Sequence, residues 1–439
     1  MWRKVLLVSS ILILAASLLV AAPVTIRFWH AMNGPLGQMV QKLVNEFNAT
    51  HPNIVVKADY AGSYSETLSK TIAAVKGGNP PDLVQIYDIG TQMMIDSGII
   101  VPLQKFIDQD KTFDVNTLIP QARGYYTVNG KLYSLPFNSS NPVIYYNKTL
   151  FKKAGLDPND PPTTWSQFKK VCEKLTVKDK NGHTIQYGFT AGVIGWFFEQ
   201  YMAVQNALLF NNENGRAGRA TKAVFDSPAG LRIFKFWNDL IQSGVMINAG
   251  PGWDNANGIF ASQKAAMLLD STSDVGMMLA QAKEGHFELG VMALPHPDGV
   301  PYGGVIIGGA SLWMINTHNT QKENAVWTFI KWLEQPEQQM QWSEGTGYFP
   351  INKNAITKMM YQGFYAKYPQ YLTTVFQLLM SNVTPATRGG IAGPFPQIRA
   401  IIEKALSKTF NKEMTPAQAL KWAQDQANQA LEEYNSLYQ

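Results

Sequence analysis

Small polar side chains at an expected chain crossing are the residues of this sequence best equipped to do chemistry. Asn138-Ser-Ser-Asn-Pro142 offers two hydroxyls at a predicted turn, ahead of a strand-like 143–146 and a helix starting near Thr149. Such groups suit the capture of a ligand by hydrogen bonding. Signatures of catalysis are missing. The chain has no HExxH, no CxxC pair and no GxSxG, and its six histidines (His30, His51, His183, His286, His296 and His318) show no metal-ligand spacing. Gly304-Val-Ile-Ile-Gly308-Gly309 looks like a phosphate loop but lacks the Gly-Lys-Ser/Thr ending whose lysine meets phosphates. Glu432 and Glu433 sit on a helical C-terminus, where a solvated face explains them better than glycosidase chemistry. We therefore expect no enzyme, no cofactor and no metal.

Those polar groups need a scaffold, and the pattern predicts an α/β one. Residues 24–28 read as a strand, 36–47 as a helix with an apolar stripe at Leu36, Met39, Val40, Leu43, Val44 and Phe47, and 54–60 as a second strand. A helix over 65–76, a stop at Gly77-Gly-Asn-Pro-Pro-Asp82 and a strand over 83–87 continue the alternation, which implies a parallel, doubly wound sheet. Thr164 can cap a helix running to Leu175 and open a second α/β unit. Thr415-Pro416 supplies the cap and first-turn proline of a last helix whose Trp422, Ala423, Ala427, Ala430, Leu431 and Tyr434 share a face for core packing. Residues 302–309 are too apolar for a linker and read as a strand crossing between lobes.

Composition narrows the class further. Met1-Trp-Arg-Lys4, the apolar run 5–20 and Ala21-Ala22 form a cleavable export signal over 1–22, too short to span a bilayer. The only cysteine, Cys172, lies far from it, so neither a lipidated N-terminus nor a disulfide is expected, and the mature protein should be periplasmic. The net charge of +5 is spread along the chain, which argues against nucleic acid as a partner. Eleven tryptophans and an aromatic fraction of 12% exceed what packing needs, and aromatic faces often line sites for sugars and polyols. More than 400 mature residues predict two domains.

Over nearly its whole mature length the chain resembles the extracellular solute-binding proteins of ABC importers, and among them the glycerol-3-phosphate binders. The resemblance rests on Phe28-Trp-His-Ala-Met32, Gly62-Ser-Tyr64, Gln85-Ile-Tyr-Asp-Ile-Gly90, Pro136-Phe-Asn-Ser-Ser140, Tyr145-Tyr-Asn-Lys148, Ile306-Ile-Gly-Gly-Ala-Ser-Leu-Trp313, Gly345-Thr-Gly-Tyr348 and Pro396-Gln-Ile-Arg399, in matching order and spacing. It implies two lobes of the periplasmic-binding-protein fold, each with a parallel or mixed sheet, joined by a multi-strand hinge: 23–136 with 304–352, and 137–303 with 353–439. The expected molecule is a monomer that closes on one solute and passes it to ABC permease subunits.

The same resemblance assigns ligand contacts to Tyr64, Asp88, Ser140, Ser271, Gly309, Tyr348 and Arg399. The Arg399 fork, the Gly309 amide and the Tyr348 hydroxyl would hold a phosphate, while Asp88, Ser140, Ser271 and Tyr64 would read glycerol hydroxyls. Two departures stand out. The acidic contact is Asp88 where the family usually has glutamate, and a paired-tryptophan wall reads Val193-Ile-Gly-Trp196. Val193 should leave room beside the phosphate for a substituent, with Trp196 facing it, so a glycerophosphodiester such as glycerophosphocholine stands beside glycerol-3-phosphate as expected ligand. A neutral oligosaccharide, and after it an exported enzyme, are the alternatives.

Overall fold

A computed structural model describes residues 22–438, so the expected signal segment lies, apart from Ala22, outside the described residues. Two mixed sheets flanked by helices form two lobes. The first sheet runs Ile54–Tyr60, Val24–His30, Leu83–Tyr87, Gly308–Ile315, with Leu135–Ser140 and Ile100–Val101 sharing the outer edge of Gly308–Ile315. Its first three strands are parallel, and Gly308–Ile315 runs antiparallel to all its neighbours. The second sheet runs Met246–Pro251, Phe189–Val193, Met267–Ser271, Pro142–Asn147, Leu289–Met292, parallel across the first three and antiparallel after that.

Local chemistry sets these elements. Val24–His30 alternates, and its Ile26, Phe28 and His30 turn inward. Leu83–Tyr87 is buried along its whole length, as a central strand covered on both faces must be. The helix Gly34–Thr50 lays Met39, Val40, Leu43, Val44 and Phe47 into the core. There the Phe47 ring meets Phe329 edge-on at 4.8 Å, and removing a ring so placed costs about 3–5 kcal/mol. Capping boxes pair Thr164 with Gln167 and Thr415 with Gln418, fixing the starts of the helices Trp165–Leu175 and Pro416–Asn435. On the latter helix Ala423, Ala427, Ala430 and Leu431 are buried, as the stripe predicts.

The chain passes between the sheets within the two segments expected to cross, but neither takes the local form expected. Asn138, Ser139 and Ser140 do not form a turn; they pair with Gly308–Ala310 inside the first sheet, and the crossing falls on Asn141. That residue is pinned from three sides: its N–H donates to Thr272 Oγ1 at 3.0 Å, its side-chain amide donates to the Thr374 carbonyl at 2.8 Å, and its Oδ1 accepts from Gln377 at 2.7 Å. Residues 302–307 are not a strand; regular pairing starts only at Gly308. The backbone of Ile306 is instead clasped by the Gln200 side chain, which accepts from its N–H at 2.8 Å and donates to its carbonyl at 3.0 Å. The helix Lys353–Tyr361 packs on Pro336–Thr346, which itself packs on Gly34–Thr50, whereas Pro369–Leu379 packs on Leu289–Met292. Packing thus turns from elements of the first sheet to those of the second at Asn141, within 302–307, and between Tyr361 and Pro369.

Candidate functional site

Between the sheets lies a cavity of about 390 Å³, and eight of the nine expected site residues line it. The first lobe supplies five. Tyr64 opens the helix Tyr64–Lys76 behind a Ser63/Glu66 capping box and stacks on Tyr87 at 5.6 Å. Asp88 opens the 3-10 turn Asp88–Gly90 directly after the central strand, and Ser140 ends the strand that leads to the crossing. Tyr348 stacks on Trp342 at 5.9 Å just past the left-handed Gly347. Gly309 has φ +89° and an added Cβ would stand 1.8 Å from the Asn138 carbonyl oxygen, so only glycine keeps this strand paired beside the cavity.

The second lobe supplies Trp196, Ser271 and Arg399. Ser271 closes the strand Met267–Ser271, and its Oγ accepts from the Ser273 N–H at 3.2 Å. Arg399 lies on the helix Phe395–Phe410, with its guanidinium 5.7 Å over the Phe395 ring. Trp196 lies on the helix Gly195–Val204, every residue of which is buried, and its indole reaches the Gly308 backbone so closely that a Cβ there would clash at 2.5 Å.

Val193 is the exception. It does not line the cavity; it is buried opposite Pro251 in the second sheet. Trp253, from a segment some sixty residues on, supplies a second indole to the lining beside Trp196. The turn Gly250-Pro251-Gly252 has φ of +76° and +84° at its glycines, and a Cβ on Gly192 would meet the Gly252 oxygen at 2.1 Å. This tight packing presents Trp253 to the cavity, 6.3 Å from Trp196 at an interplanar angle of 55° and edge-on to Phe197 at 5.4 Å.

Sequence reasoning also missed Glu199, Glu403 and Asp274, and the pairing of Asp88 with Arg399. Its Nε donates to Glu199 Oε1 at 2.6 Å, and Nη2 donates to Glu199 Oε2 at 2.8 Å and to Asp88 Oδ2 at 3.2 Å. The Asp88 contact joins the two lobes. Burial disfavours the guanidinium charge, yet Glu199 and Asp88 outweigh it and hold the Arg399 pKa well above its ordinary value. Burial also holds the Glu199 carboxyl up, to about 7, although Arg399 pulls it down. Glu403 lines the cavity and accepts from the Gly195 N–H at 2.8 Å, and burial raises its pKa. Asp274 lines it as well, with its carboxyl pushed up to about 6 by burial. The one available signal for Glu199 was a carboxylate in a helix that is apolar or aromatic apart from it and Gln200; a buried acid requires a partner.

The geometry is that of a ligand cleft between two α/β lobes, with hydroxyls and a glycine backbone on one wall and two indoles and an arginine on the other. Residues 42–373 match the family described as bacterial extracellular solute-binding protein, and the chain belongs to that family. It is 35% identical over 419 residues, 94% of each chain, to the sn-glycerol-3-phosphate-binding periplasmic protein UgpB of Shigella flexneri, and 34% identical over the same length and shares to UgpB of Escherichia coli K12. Among solved structures, UgpB from Mycobacterium tuberculosis in complex with glycerophosphocholine superposes with a TM-score of 0.77 at 23% identity, covering 94% of this chain and 99% of that one. A cyclic α-maltosyl-1,6-maltose binding protein from Arthrobacter globiformis gives 0.77 at 23%, covering 94% and 100%. These two share the fold. The family and its periplasmic relatives place the chain outside the cytoplasmic membrane as a solute-binding protein of ABC transport, not an enzyme.

Proposed function

We propose that the cleft captures a glycerophospho-compound, a glycerophosphodiester such as glycerophosphocholine or glycerol-3-phosphate itself, and that the lobes close on it and deliver it to a membrane permease. The observation that carries this reading is the convergence of Arg399 with Gly309 and Tyr348 on one cavity that also holds Asp88, Ser140, Ser271 and Tyr64. A guanidinium, a backbone amide and a phenol are donors for phosphate oxygens, and the acid and hydroxyls accept from a diol. The similarity to proteins that bind sn-glycerol-3-phosphate supports it. A second reading, a neutral oligosaccharide, is favoured by the Trp196–Trp253 pair and by the two carboxylates that already hold Arg399. Isothermal titration of the mature protein with glycerol-3-phosphate, glycerophosphocholine and maltotriose separates them. Binding of either phosphate compound supports the proposal; binding of maltotriose alone overturns it.

A further inference from the structure

Among the described residues, Arg399 is the one basic residue lining the cavity, against Asp88, Asp274 and Glu403. One edge of its guanidinium is already taken by a bidentate bond to Glu199, which is only 3% exposed, while Nη1 donates to no described residue. The arginine therefore meets the cleft with much of its charge answered from behind. We propose that Glu199 is a specificity-determining positioning residue: by clamping one edge of Arg399, it restricts the cleft to ligand ends with a single negative charge, a phosphodiester rather than a doubly charged phosphate monoester.

The proposal rests on the reading that Arg399 meets phosphate, and it deepens that reading by naming the charge class. A monoester carries about −1.5 to −2 near neutrality and a diester one charge, and both can accept from Nη1, since Nε and Nη2 already donate to Glu199 and Asp88. The second charge of the monoester then faces Glu199, Asp88 and Glu403 across a poorly solvated wall, where like charges repel more strongly than in water. Glu199 does not touch the ligand in this scheme; it acts through Arg399, fixing which edge is presented and how much net charge it carries. Two further observations fit. Gly195 and Arg399 are packed so closely that a Cβ on Gly195 would meet the Arg399 Cγ at 2.6 Å, so the stem of Arg399 is held against the start of the helix that carries Glu199. Burial also holds Glu199 up to about 7, so an anion arriving at Arg399 should draw a proton onto it.

The test is calorimetric titration at pH 8 of the wild type and Glu199→Gln with glycerol-3-phosphate and glycerophosphocholine. The wild type is expected to prefer the diester, and Glu199→Gln to narrow that preference about ten-fold or more, mainly by tighter monoester binding. An unchanged preference ratio in a folded variant overturns the proposal and leaves Glu199 a structural role only. A second measurement covers a variant that fails to fold. Near pH 7, in two buffers of different ionisation enthalpy, diester binding to the wild type should take up a fraction of a proton, because the charge of the diester itself is constant there. No uptake overturns the proposal, and so does uptake that persists in a folded Glu199→Gln, which would assign it to Asp274 or Glu403. If wild type binds neither phosphate compound, the phosphate reading itself has failed, and that is visible before any variant is made.

Discussion

Asp96 and Arg219 join the two lobes by parallel hydrogen bonds, Nη1 to Oδ2 at 2.9 Å and Nη2 to Oδ1 at 2.7 Å. Asp96 ends the helix Thr91–Asp96 of the first lobe, and Tyr434, on the last helix, donates to its Oδ2 at 3.1 Å. Arg219 is about one-third exposed, so water screens the pair and its contribution is about 1 kcal/mol. Arg219→Ala should loosen the lobes, lowering ligand affinity by up to about five-fold and raising the radius of gyration with ligand bound. Solution scattering with titration checks both; identical values for variant and wild type would remove this pair from the closure.

Arg399→Ala should cost about 2–5 kcal/mol of binding, roughly thirty-fold to several thousand-fold in affinity. It also strands Glu199 in the interior without a partner. Arg399→Lys should rescue poorly, because a point charge cannot serve the bidentate Glu199 and Asp88 together. Calorimetry decides, and undiminished affinity in the alanine variant would make the arginine structural.

Trp253 and Val193 make separable forecasts for the wall. Trp253→Ala should weaken binding of a ligand with a quaternary ammonium by about 0.5–2 kcal/mol and leave glycerol-3-phosphate nearly unaffected. Val193→Trp should not rebuild a wall in the cleft; Val193 is buried opposite Pro251, and overpacking there should destabilise the protein by about 1–3 kcal/mol. Affinity gained by that variant without loss of thermal stability would contradict the geometry.

Glu334 gives a stability forecast. Neither carboxylate oxygen has a hydrogen-bond partner among the described residues, and burial pushes its pKa well above 4.5. An acid raised in the folded state keeps its proton on folding, so its contribution is fully present below the unfolded value near 4.5 and is lost as pH rises through the folded value. Urea unfolding should therefore show Glu334→Gln more stable than wild type at pH 8, with the gap shrinking towards pH 4.5. A gap that is constant with pH would mean Glu334 is not the group that titrates.

The strands Ile54–Tyr60 and Leu83–Tyr87 and the helix Trp165–Leu175 could be read from the chain itself, because alternation, helical period and capping side chains act over a few residues. The motif order that marks the family could be read too, and with it eight of the residues lining the cleft. What the sequence could not supply were relations between distant segments. Glu199 stands 200 positions from Arg399, and its partner is decided by how the helix Gly195–Val204 is wedged against Phe395–Phe410. The placing of Val193 and Trp253 has a similar cause: a register shift between Ala191 and Val193 opposite Met246–Pro251 turns one into the core and a two-glycine turn presents the other to the cavity. Local pattern fixes which face of an element is apolar; only packing between elements decides which residue fills a given volume and which charge answers which.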